Sequence, residues 1–455
     1  MKLKNLLMSA LIALNFALLL GGTAHAQTAA AEPTTTTTSV RAPFKIAPMD
    51  DAWRASLPRD ANAATQAYLD RLPPAAVQRS NDYFEGRYWL QLWNFLLGLG
   101  IAALMLAGQR AARVRDWAQR VARGRGVVRN FVRDGLFGAV YSVAAWVLSL
   151  PLTIYEGFVR EHAYGMATQN FAAWAGEQGV SLLVDTLVGA LLVAILYAVI
   201  RRAGERWWLW GSVTSVALLM ALMLIAPVWI APLFNTYKPV EDGVVKASVL
   251  AMAHANGVPV QNVYEFDASR QTTKVSANVS GIFGTAAVRL NDNLLRRASL
   301  PEIRAVMGHE LGHYVMNHVY KMLTSFSLLL LAGFLIVKWM MDRLLARHGA
   351  RWGINPTLGV GDVASLPLFA AAFSVFMFIA TPLQNTIIRT NEVEADRFGL
   401  NLSREPHGMA EAFLKLSEYR KPDPAAWEEF IFFDHPSARN RIHDSMRWRE
   451  AMGTP

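Results

Sequence analysis

The sequence contains no cysteine. Disulfides and thiolate metal sites are therefore excluded, and any bound metal must be held by His, Asp or Glu. Charge is also scarce: 17% of the 455 residues are charged, against about 25% in an average soluble domain. The shortfall sits in long apolar runs, which implies a membrane protein. No internal repeat is visible. The charge balance is basic, +9 at pH 7. The arginines cluster beside the apolar runs as membrane-flanking charge does, which argues for membrane lipid and against nucleic acid as a partner.

Lys2 and Lys4, the apolar run 6–20 and Ala24-His25-Ala26 form the pattern of an export signal. Residues 1–26 are read as a signal peptide or an N-terminal anchor. Residues 27–88 read as a linker, with Pro33 and the threonine tract 34–38, followed by amphipathic helical pieces. These end in an aromatic cluster, Tyr83, Phe84, Tyr88, Trp89 and Trp93, suited to a membrane interface. Spanning helices are expected at 89–107, 136–155, 181–200, 208–231, 323–341 and 364–386, each near the roughly 20 residues that cross hydrocarbon. Residues 89–231 make an N-terminal transmembrane domain, and 232–455 a second domain that includes the last two spans. Within it, Val275, Val279, Val288 and Leu290 surround the turn signal Gly281-Ile282-Phe283-Gly284 and predict a β-hairpin. A helix should start near Ser299-Leu300-Pro301-Glu302. The stretch 387–455 reads as helical, broken at Lys421-Pro422-Asp423-Pro424. The fold class expected is mainly α: a polytopic helical membrane protein with a small β-hairpin or sheet.

The helix after Pro301 carries His309-Glu310-Leu311-Gly312-His313. Positions four apart share a helix face. Two imidazoles so placed can reach one zinc ion, with Glu310 beside it as a general base. A catalytic zinc needs a third protein ligand and an open position. The best source is Arg389-Thr390-Asn391-Glu392-Val393-Glu394-Ala395-Asp396. Glu392 and Asp396 are four apart; one can ligate while the other accepts the N–H of a ligand histidine. Glu394 lies on another face and is the weaker candidate.

The segments 309–318 and 382–396 and the pair His435-Pro436 resemble the type I CAAX prenyl endopeptidases, integral-membrane zinc metallopeptidases of gluzincin type. The resemblance runs from about residue 80 to the C-terminus and includes Pro232-Leu233-Phe234-Asn235 and Asp292-Asn293-Leu294-Leu295. It implies His309, His313 and Glu392 as ligands of one Zn2+ per chain, Glu310 as the base and Asp396 as the partner of His309. Asn385 and Arg389 match positions near the site. His435 matches a family histidine and is a candidate oxyanion donor. Arg441 matches a family arginine that would hold the C-terminal segment, and His318 would support the ligands or the packing. Two positions depart from the pattern: Ile388 replaces a serine, and Ser276-Ala277-Asn278, the expected substrate-binding segment, replaces Asn-Ala-Tyr.

The function expected is a membrane-embedded metalloendopeptidase acting on proteins or peptides. The alternatives are a processing protease for lipidated C-termini and a non-catalytic metal-bound scaffold or chaperone. Arg110, Arg113, Arg115, Arg120, Arg123, Arg125, Arg129 and Arg133 crowd the loop after the first span. Arg201, Arg202 and Arg206 follow the third, and Arg343, Arg347 and Arg351 the fifth. Positive loops stay in the cytoplasm, so the site should face the periplasm from a bacterial inner membrane.

Overall fold

A computed structural model describes residues 44–280 and 286–453. The expected signal at 1–26, the linker as far as residue 43 and the turn Gly281 to Gly284 lie outside the described residues. The N-terminal half is helical: α1 (Ala61–Leu69), α2 (Pro74–Leu106), α3 (Arg110–Val121), α4 (Gly126–Ile154), α5 (Phe171–Ala203) and α6 (Trp207–Ile225).

The first expected span is only the C-terminal part of α2. Proline opens this helix, where its missing N–H is harmless, and nothing breaks it before Leu106. The aromatic cluster therefore lies within a long helix and does not end a short one. Gly108 and Gln109 both take φ near 59° and turn the chain into α3. Residues Phe171–Leu233 form a single helical run of 63 residues, about 95 Å if straight, some three times the hydrocarbon thickness. The run folds back at Gly204, whose φ of 54° glycine adopts without steric cost. α5 then packs along α6, with Leu196 beside Gly211. The expected spans 181–200 and 208–231 are the arms of this hairpin. α6 gives way to a π-turn at Ala226–Ile230 containing Pro227 and a 3-10 turn at Ala231–Leu233 containing Pro232. Neither proline can donate to a continuing helix.

The second half opens with β1 (Tyr237–Pro239), α7 (Val244–Ala255), β2 (Val263–Phe266), β3 (Ala277–Ser280) and β4 (Ala287–Asn291). The sheet order is β1-β2-β4-β3, so β3 is an edge. β3 and β4 pair antiparallel, Ala277 opposite Leu290 and Val279 opposite Val288. Val275 precedes the strand. The helices that follow are α8 (Leu300–Val315), α9 (His318–His348), α10 (Leu366–Ile379), α11 (Thr381–Ser403), α12 (Pro406–Leu416), α13 (Ala426–Phe432) and α14 (Ala438–Met452). α8 begins in a capping box in which Ser299 N–H donates to Glu302 Oε2 at 2.6 Å. The expected span 364–386 is not straight: α10 and α11 meet at 56° just before Pro382. α10 stays among the spans, packing Phe369 and Phe373 against Phe334 of α9. α11 leaves to pack along α8.

The arginine-rich segments gather at one end of the bundle. Arg115 pairs with Asp362 and donates to Gly353 O at 3.1 Å, and Arg201 donates to Gly361 O at 3.3 Å. α9 runs from that end to His318 over 31 residues, about 45 Å.

Candidate metal centre

Two glycines determine how closely α8 and α11 cross. A Cβ on Gly308 would stand 2.9 Å from Gly399 O, and one on Gly399 would stand 2.7 Å from His309 N. The backbones therefore touch, and the His309/His313 face of α8 meets the Glu392/Asp396 face of α11. His309, His313 and Glu392 offer ligand atoms that all lie within 4.8 Å of one another, and all three are buried.

The two Nε2 atoms are 3.1 Å apart. Glu392 Oε2 is 3.4 Å from His309 Nε2, and its Oε1 is 3.4 Å from His313 Nε2. Tetrahedral donors at about 2.0–2.1 Å from one zinc ion stand about 3.4 Å apart. Two imidazoles and a carboxylate at these separations fit such an ion without rearrangement. Glu310 Oε1 is 4.0 Å from His309 Nε2, beside the cluster.

Each imidazole is oriented from behind. His309 Nδ1 is 2.7 Å from Asp396 Oδ1. A carboxylate only accepts, so Nδ1 carries the proton and the Nε2 lone pair faces the cluster. Burial pushes the His309 imidazole below its ordinary pKa, against the opposing pull of Asp396, and the neutral form is the one that ligates. Arg441 Nε donates to Asp396 Oδ2 at 2.8 Å, while its NH2 pairs with Oδ1. Arg441 thus steadies the carboxylate behind His309. His313 Nδ1 is 2.8 Å from His318 Nδ1, and His318 Nε2 is 3.0 Å from Glu394 Oε2. Read from the acceptor end, Glu394 takes the His318 Nε2–H, and His318 Nδ1 takes the His313 Nδ1–H. His313 Nε2 is then also left as a lone pair. Glu394 stands on the outer side of His318, away from the cluster. His318 reaches His313 because Asn317, at φ 57°, separates α8 from α9.

His435 Nε2 is 3.2 Å from Glu392 Oε2, and its Nδ1 is 2.7 Å from Asp434 Oδ1. Burial alone would raise the Asp434 carboxyl, but His435, Arg420 and Arg87 hold it well below the usual carboxylate range. Asn385 and Arg389 do not touch the cluster. Asn385 donates to Ile431 O at 2.7 Å, and Arg389 to Glu429 O and Phe433 O at 3.0 and 2.6 Å. They fasten the segment that carries His435. A largely apolar cavity opens beside His309, Glu310 and His435, walled by Ala277, Val306 and Phe413. Ser276 also lines it, whereas Asn278 is buried opposite Arg289. Sequence reasoning missed three parts of this arrangement. Asp434 had a signal, an acid directly before the candidate histidine. The contacts of Arg441 with Asp396 and of Glu394 with His318 had none.

Residues 239–448 match the family model for peptidase family M48. Residues 57–236 match the model described as CAAX prenyl protease N-terminal, five membrane helices. The uncharacterized metalloprotease YhfN of Bacillus subtilis is 28% identical over 386 residues, 83% of this chain and 88% of that protein. A CAAX prenyl protease 1 homolog of Oryza sativa subsp. japonica is 26% identical over 309 residues, 65% of this chain and 69% of that one. The crystal structure of S. mikatae Ste24p superposes with a TM-score of 0.67 over 84% of this chain and 93% of that chain. At 19% identity that likeness concerns the fold.

Proposed function

The chain belongs to peptidase family M48, as a multi-pass membrane metalloprotease, and on that premise we propose that it is a zinc endopeptidase cutting protein or peptide substrates at the His309/His313/Glu392 cluster. The observation that carries the reading is the convergence of two imidazole Nε2 atoms and one carboxylate beside a cavity that Glu310 also lines. His309, His313 and Glu392 would hold the ion. A zinc ion so held would supply Lewis-acid activation, lowering the pKa of a water molecule toward neutrality.

The chain's own residues do the rest. Glu310 accepts the proton of the attacking water on a carboxylate oxygen and returns it to the leaving amine. Asp396, held by Arg441, keeps the His309 proton on Nδ1, and the His318–Glu394 pair does the same for His313. Asp434 accepts from His435 Nδ1, and the protonated imidazole donates from Nε2 to the oxyanion that develops in the transition state. The edge strand β3 aligns an extended peptide along the cavity that Ser276 and Ala277 line.

The arginine-rich end of the bundle lies in the cytoplasm, and the cluster, a helix length away, faces the periplasm. Because the rice relative is named a CAAX prenyl protease 1 homolog, lipidated C-termini are the second reading. A farnesylated peptide tested against its unprenylated twin separates the two. The main reading is tested by digesting casein with purified protein before chelation, after chelation and after zinc is restored. Activity should vanish and return; activity indifferent to chelation would overturn it.

A further inference from the structure

The short helix α13 is amphipathic the wrong way round for a helix facing water. Its acid Glu428 points inward, and Glu429 is tied to the segment that follows. Glu428, 5% exposed, accepts from Lys421 Nζ at 2.8 Å and from Tyr88 OH at 3.0 Å. Glu429 accepts from the Ser437 N–H and from Asn440 Nδ2, both at 2.9 Å. Its aromatics point outward: Trp427 is 63% and Phe430 54% exposed. A helix in water would reverse these faces, and exposed aromatic faces mark contact with a partner or a membrane.

The position of α13 says which. Phe432 stacks on Tyr88 of α2 with ring centroids 3.9 Å apart, and Phe433 packs on Phe84 at 4.4 Å. On its other flank, Asn385 and Arg389 of α11 hold its carbonyls. α13 therefore sits at the level of residues 84–88, one residue before the exposed apolar stripe of α2. That stripe is Trp89, Trp93, Leu96 and Leu104, all exposed on one helical face of a membrane-spanning segment. α13 thus lies beside α2 where the tryptophans of that stripe begin, and tryptophans at the end of a span suit the bilayer interface.

We propose that α13 is an interfacial anchor, with Trp427 and Phe430 immersed at the boundary between lipid headgroups and acyl chains. The occupant of this face is the bilayer. His435 lies three residues beyond α13, so the bilayer helps to position the segment that closes the candidate metal centre, and the cavity opens close to the membrane surface. Amphipathic helices that lie in the interface bury aromatics in this manner while their polar groups are satisfied elsewhere.

The chain has no cysteine, so single-cysteine variants carry a probe at one place only. Trp427→Cys, Phe430→Cys and, as a water-facing reference, Glu450→Cys are labelled with a nitroxide. Each is reconstituted in vesicles of phosphatidylcholine and phosphatidylglycerol. Collision with dioxygen, which partitions into the bilayer, is compared with collision with a water-soluble nickel chelate. The ratio should be several-fold higher at 427 and 430 than at 450. Nickel access at 427 and 430 equal to that at 450 would overturn the proposal and assign the face to water or to a soluble partner. A second measurement avoids the label. The emission lost in Trp427→Phe, taken as the difference between wild-type and variant spectra, should be quenched by brominated phosphatidylcholine in the vesicles; a difference spectrum that the bromolipid leaves unquenched would also overturn the proposal.

Discussion

Gly399 approaches His309 so closely that a Cβ there would stand 2.7 Å from the His309 backbone nitrogen. The placement of the His309/His313 face of α8 depends on this contact, because any side chain on Gly399 wedges the two helices apart. Gly399→Ala should cost about 1–3 kcal/mol, the usual price of overpacking, and should weaken zinc binding in chelator competition. Gly100→Ala, where a Cβ meets nothing within 4 Å, is the control. Zinc held by Gly399→Ala as tightly as by wild type would show that the crossing does not position the ligands.

Removal of acids on α11 should be graded. Glu392→Ala should weaken zinc binding most, because it deletes a donor. Asp396→Ala should weaken it by about 10–100-fold, the usual loss when the group behind a ligand histidine is removed. Glu394→Ala acts on His313 only through His318 and should cost less than Glu392→Ala. An affinity loss for Glu394→Ala matching that of Glu392→Ala would refute the assignment of Glu392 as the third ligand.

Parts of this site are legible in the sequence for a simple reason. His309 with His313, and Glu392 with Asp396, are each four apart on a helix, so local geometry alone puts each pair on one face. The same rule turns Glu394 away from Glu392. Local geometry says nothing about what the turned-away face meets, and the Glu394–His318 contact depends on how α11 lies beside α9. Arg441 on Asp396 is likewise a contact between separate helices. The fold shows the same division. Apolar runs of about 20 residues mark the spans, but the 56° bend before Pro382 and the fold-back at Gly204 depend on packing and on one glycine's φ. The continuous helix through Tyr83 to Trp93 was hidden because its first turns are polar, and period and hydropathy there do not reveal its length.

His435→Ala should lower kcat more than it raises KM, if its Nε2 donates to the developing oxyanion and not to the ground-state carbonyl. Its Nε2 lies 3.2 Å from Glu392 Oε2, so zinc content is measured in the same preparation. An effect on KM alone would mark His435 as a substrate-positioning residue.

The side of the membrane is tested with fusions after Pro455. Alkaline phosphatase placed there should be active and a green fluorescent protein dark, because the arginine-rich end is assigned to the cytoplasm. A bright fluorescent fusion with inactive phosphatase would place the site in the cytosol.

The most direct test of the central claim is Glu310→Gln, with zinc per chain and proteolysis measured on the same purified protein. Glu310 is assigned as a base and not a ligand, so the variant should keep one zinc per chain and lose proteolysis. Full proteolytic activity in Glu310→Gln, or a wild-type protein that cuts without zinc, would contradict the account.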